Sequence, residues 1–347
     1  MDNLNREGGC LDQIRTCRAL ALESDPTNQG FNSTVNSVCQ KAETFCSEHI
    51  RDPYFDSDLN YYDISSPGAA AFPPPWYTGF LAQPHVQQAL GVPLNWTQSN
   101  SAVSRAFRAI GDYPRPGWKE DLEYLLESGV KVHLMYGDRD YACNWYSGEL
   151  VSLSLNYSGT EEFQAAGYAP IQVNETYVGG MVRQFGNLSF ARVYQAGHEV
   201  PAYQPETAWK IFDRVMKNLD VATGEHSTVG EDYASEGPMD TFNITNEPIP
   251  HPAPTCYVLD RGQCTDEQWE TVENGTALVK NWIVVDENTR HMFPDLPLPG
   301  PSPTVSEFPG AAAGMRTFGG WKVWGVEIPV RGSVVLAVVL GTLVVML

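Results

Sequence analysis

Two short apolar runs, each cut off by a polar loop, constrain this chain more than any other feature. Val130-Lys131-Val132-His133-Leu134-Met135-Tyr136 is apolar and β-branched enough for a central strand, and Gly137-Asp138-Arg139-Asp140 follows at once. Phe190-Ala191-Arg192-Val193-Tyr194-Gln195 repeats the arrangement ahead of Ala196-Gly197-His198-Glu199-Val200-Pro201. Before the first run, residues 119–127 predict a helix with Leu122, Leu125 and Leu126 on one face, ended by Gly129. After the second, Pro205 opens a helix expected to bury Ala208, Trp209, Ile211, Phe212, Val215, Met216 and Leu219. Helix, strand, polar loop, strand, polar loop, helix is the rhythm of an α/β sheet. Such sheets carry functional groups just beyond the carboxyl ends of their strands. Asp140 and His198 both stand there.

The flanks read differently. Residues 1–52 are short segments between cysteines, as in a small helical insertion stapled by disulfides. Residues 53–79 are rich in Pro, Tyr and Gly and predict an irregular connection. Helical patterning covers 83–90 and 103–110. From Asp220 to Glu307 there are 16 acidic and three basic residues, and prolines crowd at 248–254 and 294–303. The expected organisation is an α/β domain over 1–220, with 1–52 as its insertion. An acidic extension follows at 221–308, ordered around Cys256, Cys264 and Trp282. A stalk and an apolar tail close the chain at 309–347.

The chain has seven cysteines in 347 residues. Cys10, Cys17, Cys39 and Cys46 come early, Cys256 and Cys264 lie close together, and Cys143 stands alone. Six bridged cysteines and one left over suit an oxidising compartment. No CxxC occurs, which argues against zinc held by cysteines, and Asp138 with Asp140 lacks the further ligands a metal needs. No metal or cofactor is expected. Glycosylation sequons at Asn32, Asn95, Asn156, Asn174, Asn187, Asn243 and Asn274 point to the secretory route. The first residues carry no apolar signal core, so a missing front is expected. Residues 334–347 are a nearly unbroken apolar run, shorter than the roughly 20 residues of a spanning helix. A lipid-anchor signal fits, with attachment among residues 310–314 or at Gly319 or Gly320. The formal charge of −20 sets nucleic acid aside as a partner, because phosphate binding needs a basic surface.

An acid followed in the chain by a histidine is the order of the α/β-hydrolases, whose nucleophile serine precedes both. The acid holds the imidazole tautomer while the histidine takes the serine's proton. Tyr136-Gly137-Asp138-Arg139-Asp140-Tyr141-Ala142-Cys143-Asn144-Trp145 resembles the acid loop of the serine carboxypeptidases. Ala196-Gly197-His198-Glu199-Val200-Pro201, with Gln204-Pro205, resembles their histidine loop. Phe80-Leu81-Ala82-Gln83-Pro84-His85-Val86-Gln87-Gln88-Ala89-Leu90-Gly91-Val92 is similar to a third signature segment, and the early cysteines match the family's stapled insertion. The likeness spans about residues 8–220 and is closest to the fungal secreted or surface-anchored branch. It implies the C-terminal half of that α/β-hydrolase domain, with bridges Cys10–Cys46 and Cys17–Cys39. It implies Asp140 as triad acid, His198 as general base and Asp138 as a loop-ordering residue. Cys143, Asn144 and Glu199 would line or support a substrate pocket. Peptide or protein C-termini would be the substrate, at an acidic working pH.

One part of the pattern is missing. Neither G-x-S-x-G nor Gly-Glu-Ser-Tyr-Ala-Gly occurs, so no serine elbow is found. The first strands of the sheet would be absent too, which predicts an exposed edge and an inactive chain that does not fold stably alone. Two rival expectations stand beside this one. One is another activity on the same fold, an acyltransferase or hydroxynitrile lyase. The other is a non-catalytic, glycosylated surface protein.

Overall fold

The computed structural model describes residues 2–67, 76–230, 233–244, 255–259, 261–294 and 296. The stalk and apolar tail at 309–347, the segment 68–75 and the proline cluster at 248–254 lie outside them, as does most of the cluster at 294–303. The described residues form two compact units, one drawn from 1–73 and 99–249, the other from 74–98 and 250–333.

The first unit opens with α1 (Asp2–Asn5), α2 (Cys10–Ser24) and α3 (Ser33–Cys46). In α2 the buried residues are Cys10, Ile14, Cys17 and Ala21; in α3 they are Val35, Cys39, Ala42 and Cys46. Both sets step by 4, 3 and 4, which places each on one helical stripe. The stripes face each other and are joined by disulfides Cys10–Cys46 and Cys17–Cys39. Asn32 caps α3, accepting from the backbone N–H of Thr34 and Val35.

Where the sequence predicts an irregular connection, residues 52–67 hold a 3-10 turn (Asp52–Ser57) and a hairpin of β1 (Leu59–Asn60) and β2 (Asp63–Pro67). Two side chains explain the difference. Asn60 Oδ1 accepts the N–H of Tyr62, and Asp63 Oδ1 accepts the N–H of Ser65. Both are local turns made by an Asx side chain.

Helices α4 (Trp76–Leu81) and α5 (Pro84–Leu90) belong to the second unit; α6 (Ser101–Ile110) and α7 (Trp118–Glu127) return to the first. There follow β3 (Val132–Gly137), α8 (Trp145–Ser154), α9 (Thr160–Ala165), β4 (Tyr168–Asn174), β5 (Tyr177–Phe185) and β6 (Leu188–Val193). Then come α10 (Val200–Tyr203) and α11 (Pro205–Met216). The sheet order is β3-β6-β5-β4. β3 and β6 are parallel, Val132 opposite Leu188 and Gly137 opposite Val193, while β6-β5 and β5-β4 are antiparallel. Among the described residues β3 pairs with β6 alone.

Alternation along β6 divides the core. Leu188 and Phe190 pack with Leu122 and Leu126 of α7 and Val151 of α8, whereas Ala191 and Val193 pack with Ala208, Ile211 and Val215 of α11. The sheet thus lies between two helical layers. On α11 the expected buried face is corrected. Thr207, Ala208, Ile211, Arg214 and Val215 are buried, but Trp209 is 60% exposed, Phe212 44% and Met216 42%. At about 100° per residue, 208, 211 and 215 share one stripe, and 209, 212 and 216 share its neighbour. Arg214 is buried because its guanidinium donates to the carbonyls of Val221, Ala222 and Gln172. Leu219 lies past the helix end and is partly buried.

Residues 219–230 and 233–244 run on along the same sheet. Gln172 donates its N–H to the Ala222 carbonyl, Ser235 donates its N–H to Gln184, and Tyr168 donates its N–H to Pro238. In the second unit, Cys256 and Cys264 are bridged, and the hairpin β7 (Val279–Lys280) and β8 (Ile283–Val284) is joined by Asn281 and Trp282, both at positive φ. Two successive left-handed residues match the right-handed twist of a tight hairpin.

Candidate active site

β3 and β6 run parallel and adjacent, so their carboxyl ends deliver two loops side by side. Gly137 ends β3. A Cβ there would stand 2.3 Å from the Ala196 carbonyl oxygen and 2.4 Å from that of Gly197. Only glycine lets the acid loop lie against the histidine loop so closely. Gly197 is pressed equally hard, since a Cβ would meet the Tyr62 carbonyl at 2.4 Å. Asp138 donates its N–H to Val193 and Arg139 donates its N–H to Ala196, so the two loops continue the ladder beyond the strands. Gln195 turns the chain out of β6 at φ 54°, a strained conformation for a residue with a side chain.

That backbone brings His198 Nδ1 to 2.8 Å from Asp140 Oδ2. The Asp140 carboxylate is buried and the imidazole partly so. The hydrogen bond to Asp140, with a second to the Cys143 sulfur, holds the ring's pKa well above the ordinary imidazole range, against the opposing pull of burial. The Asp140 carboxylate thus stabilises the positive charge the ring carries once it has taken a proton. The other carboxylate oxygen, Asp140 Oδ1, is buried without a hydrogen-bond partner among the described residues.

Cys143 is buried, outside any disulfide, and adjoins the pair. Asn144 caps α8, its Oδ1 accepting the N–H of Ser147. Glu199 is exposed at the start of α10, where its carbonyl accepts from Ala202 and Tyr203. Asp138 receives the backbone N–H groups of Gln195 and Ala196; burial raises its pKa, and Arg192 and Arg139 restrain the rise. Arg192 itself lies over the Trp145 ring at 4.2 Å and donates to the Thr241 carbonyl. Among the sequon asparagines none is buried.

The β1–β2 hairpin is the part of the site that sequence reasoning missed. Tyr61 accepts the N–H of Ala142 in the acid loop, and Tyr62 accepts the N–H of His198 in the histidine loop. Ile64 donates its N–H back to Arg139. The Tyr62 ring lies 4.9 Å from the imidazole, and Tyr54 stacks on Tyr141 at 3.8 Å. Asp63 anchors the hairpin. Burial works against its charge, but bonds from Ser65, Ser66 and Tyr203 hold its pKa below the usual carboxylate range. The Asn60 and Asp63 turn residues were the available signal.

The family model for serine carboxypeptidases matches residues 6–218. Carboxypeptidase S1 homolog B of Arthroderma otae is 58% identical over 313 residues, covering 86% of this chain and 48% of that protein. A carboxypeptidase Y homolog of Arthroderma benhamiae is 39% identical over 291 residues, covering 82% of this chain and 46% of that protein. Among solved structures, the prohormone-processing carboxypeptidase KEX1(delta)p of Saccharomyces cerevisiae aligns with a TM-score of 0.41 and 19% identity, covering 63% of this chain and 48% of the other. This chain spans about half the length of the curated relatives it matches. On the strength of the matched domain and these fungal relatives, the chain belongs to the serine carboxypeptidase family, with its α/β-hydrolase type of fold.

Proposed function

We propose that this chain supplies the acid and the base of a Ser-His-Asp site that releases C-terminal residues from peptides. The observation that carries the reading is the 2.8 Å bond between His198 and Asp140 at two neighbouring strand ends. Asp140 fixes the tautomer and steadies the imidazolium. His198 takes the proton of the attacking serine and returns it to the leaving amine. Asp138 orders the histidine loop, and Cys143, Asn144 and Glu199 line or support the pocket. The relatives named as carboxypeptidases support the choice of substrate class.

The 347 residues hold no G-x-S-x-G or Gly-Glu-Ser-Tyr-Ala-Gly string. We take the nucleophile to come from outside them, so the chain alone does not form an acyl-enzyme. The bridged cysteines and fungal relatives fit the secretory pathway or vacuole, and the sequons and apolar tail fit a glycosylated, anchored form. A serine-directed fluorophosphonate should leave the purified chain unlabelled. The chain joined to the serine-bearing part of the Arthroderma otae relative should be labelled and should release C-terminal residues. Strong labelling of the chain alone would disprove the missing nucleophile. A correctly folded, unreactive joined protein would favour the non-catalytic reading.

A further inference from the structure

The fold assembles a donor set that is scattered in the sequence. A carboxylate oxygen of Asp140, Sγ of Cys143 and a ring nitrogen of His198 all lie within 4.8 Å of one another. Asp140 and Cys143 are buried and His198 is partly buried. We propose that these three residues form a binding site for a soft divalent cation, with zinc the ion that suits the donor set best.

Three observations support it. The chemistry is mixed sulfur, nitrogen and oxygen, which selects zinc over magnesium or calcium. The distances are close: tetrahedral zinc, with bonds of roughly 2.0–2.3 Å, needs ligand atoms about 3–4 Å apart, so small side-chain rotations suffice. Finally, Asp140 Oδ1 is buried with no hydrogen-bond partner among the described residues, an acceptor that an ion would satisfy. Cys143 binds as thiolate and His198 as neutral imidazole, so the thiol proton and the displaced ring proton pass to solvent. One thiolate and one carboxylate then balance the two charges of the ion, as a buried site requires. Three protein ligands leave the fourth position to water.

The site depends only on this geometry. Under the carboxypeptidase reading it has one consequence: the bound ion takes His198 out of proton transfer, making zinc an inhibitor. The test uses the 347-residue protein with its three disulfides intact and Cys143 reduced. One equivalent of cobalt(II) should bind with a sulfur-to-metal charge-transfer band, and zinc should displace it. Cys143→Ser should abolish the band, and Cys143→Ser and His198→Gln should each weaken zinc binding on the order of tenfold or more. Cobalt binding without the band, or zinc binding unchanged in Cys143→Ser, would assign the ion to surface histidines and overturn the site. A second measurement needs no variant. Zinc should slow alkylation of Cys143 in the unaltered protein, and a chelator should restore it; an unchanged rate overturns the site. In the joined protein, zinc that binds without lowering peptide release overturns only the inhibition. No release at any zinc level counts against the carboxypeptidase reading and leaves the site standing.

Discussion

The α2–α3 hairpin and the β3–β6 end of the sheet solve one problem, holding two segments at a fixed spacing, by opposite means. The hairpin does it covalently. Two bridges tie matching stripes at Cα separations of 4.9 and 4.8 Å, around a small core of their own. The sheet end has no covalent tie. Its loops are set by glycine contacts, by backbone hydrogen bonds and by the carbonyls of Tyr61 and Tyr62. A disulfide fixes a distance but leaves no group to do chemistry. The sheet end leaves Asp140, Cys143 and His198 facing one another as reactive groups. Stability is local in one region and borrowed from neighbours in the other.

The largest effect tests the region proposed to carry the chemistry. Asp140→Asn in the joined protein should lower kcat by about 10⁴-fold with little change in KM, because the ring loses its tautomer and its partner. A loss of less than tenfold would mean that the His198–Asp140 bond is structural. The next effect belongs to the hairpin. Arg115 pairs with Asp25 at 2.9 Å, both buried, and also donates to Asn36 of α3. Arg115→Met leaves Asp25 buried without its cation and should cost about 3–5 kcal/mol in denaturant unfolding. A cost below about 1 kcal/mol would show that the bridges alone secure the hairpin.

Cys17→Ala with Cys39→Ala comes third. The bridge closes a separation of 22 residues, and its loss should cost about 3 kcal/mol. Proteolysis should then begin in α2 or α3 while the sheet stays intact. Simultaneous cleavage in β5 or β6 would break the contrast between the regions. The histidine titration follows. The folded pKa of His198 is raised from 6.5 to about 10, chiefly by its bond to Asp140. The pair's contribution to stability is therefore complete below about pH 6.5 and disappears as pH rises through about 10. Nuclear magnetic resonance of the ring should show this titration, and Asp140→Asn should return it toward the ordinary range. The smallest effect is Trp209→Gln on the exposed stripe of α11. It should change the unfolding free energy by no more than about 0.5 kcal/mol, and a larger loss would mean that the stripe is covered in solution.

The sequence pointed to the Asp140–His198 pair more clearly than to the sheet that holds it. Asp140 and His198 were legible because each sits in a short string directly after a strand, so local pattern is enough. β4 and β5 were not. β5 buries Arg183 and Gln184: the Arg183 guanidinium donates to the carbonyls of Gln164 and Ala166, Gln184 Oε1 accepts the N–H of Val221, and the Gln184 N–H donates to Ser235 Oγ. Those partners are distant in sequence, so apolar alternation disappears from the strand itself. The face of α11 was misread for a related reason. Trp209, Phe212 and Met216 are apolar, but burial follows the stripe the sheet selects, which includes Thr207 and Arg214. The hairpin at 59–67 was hidden among prolines and tyrosines, although Asn60 and Asp63 marked its turn.

Gly137 and Gly197 limit how this site can diversify. The separation of Asp140 and His198 is fixed by the thickness of two backbones, which no side-chain exchange can tune. Variation that keeps the pair in place must therefore enter at side chains hanging from the rim, such as Tyr62 and Glu199. A library randomised across both loops should return the two glycines almost unchanged and leave the rim to drift, so that the surroundings change while the spacing of Asp140 and His198 stays.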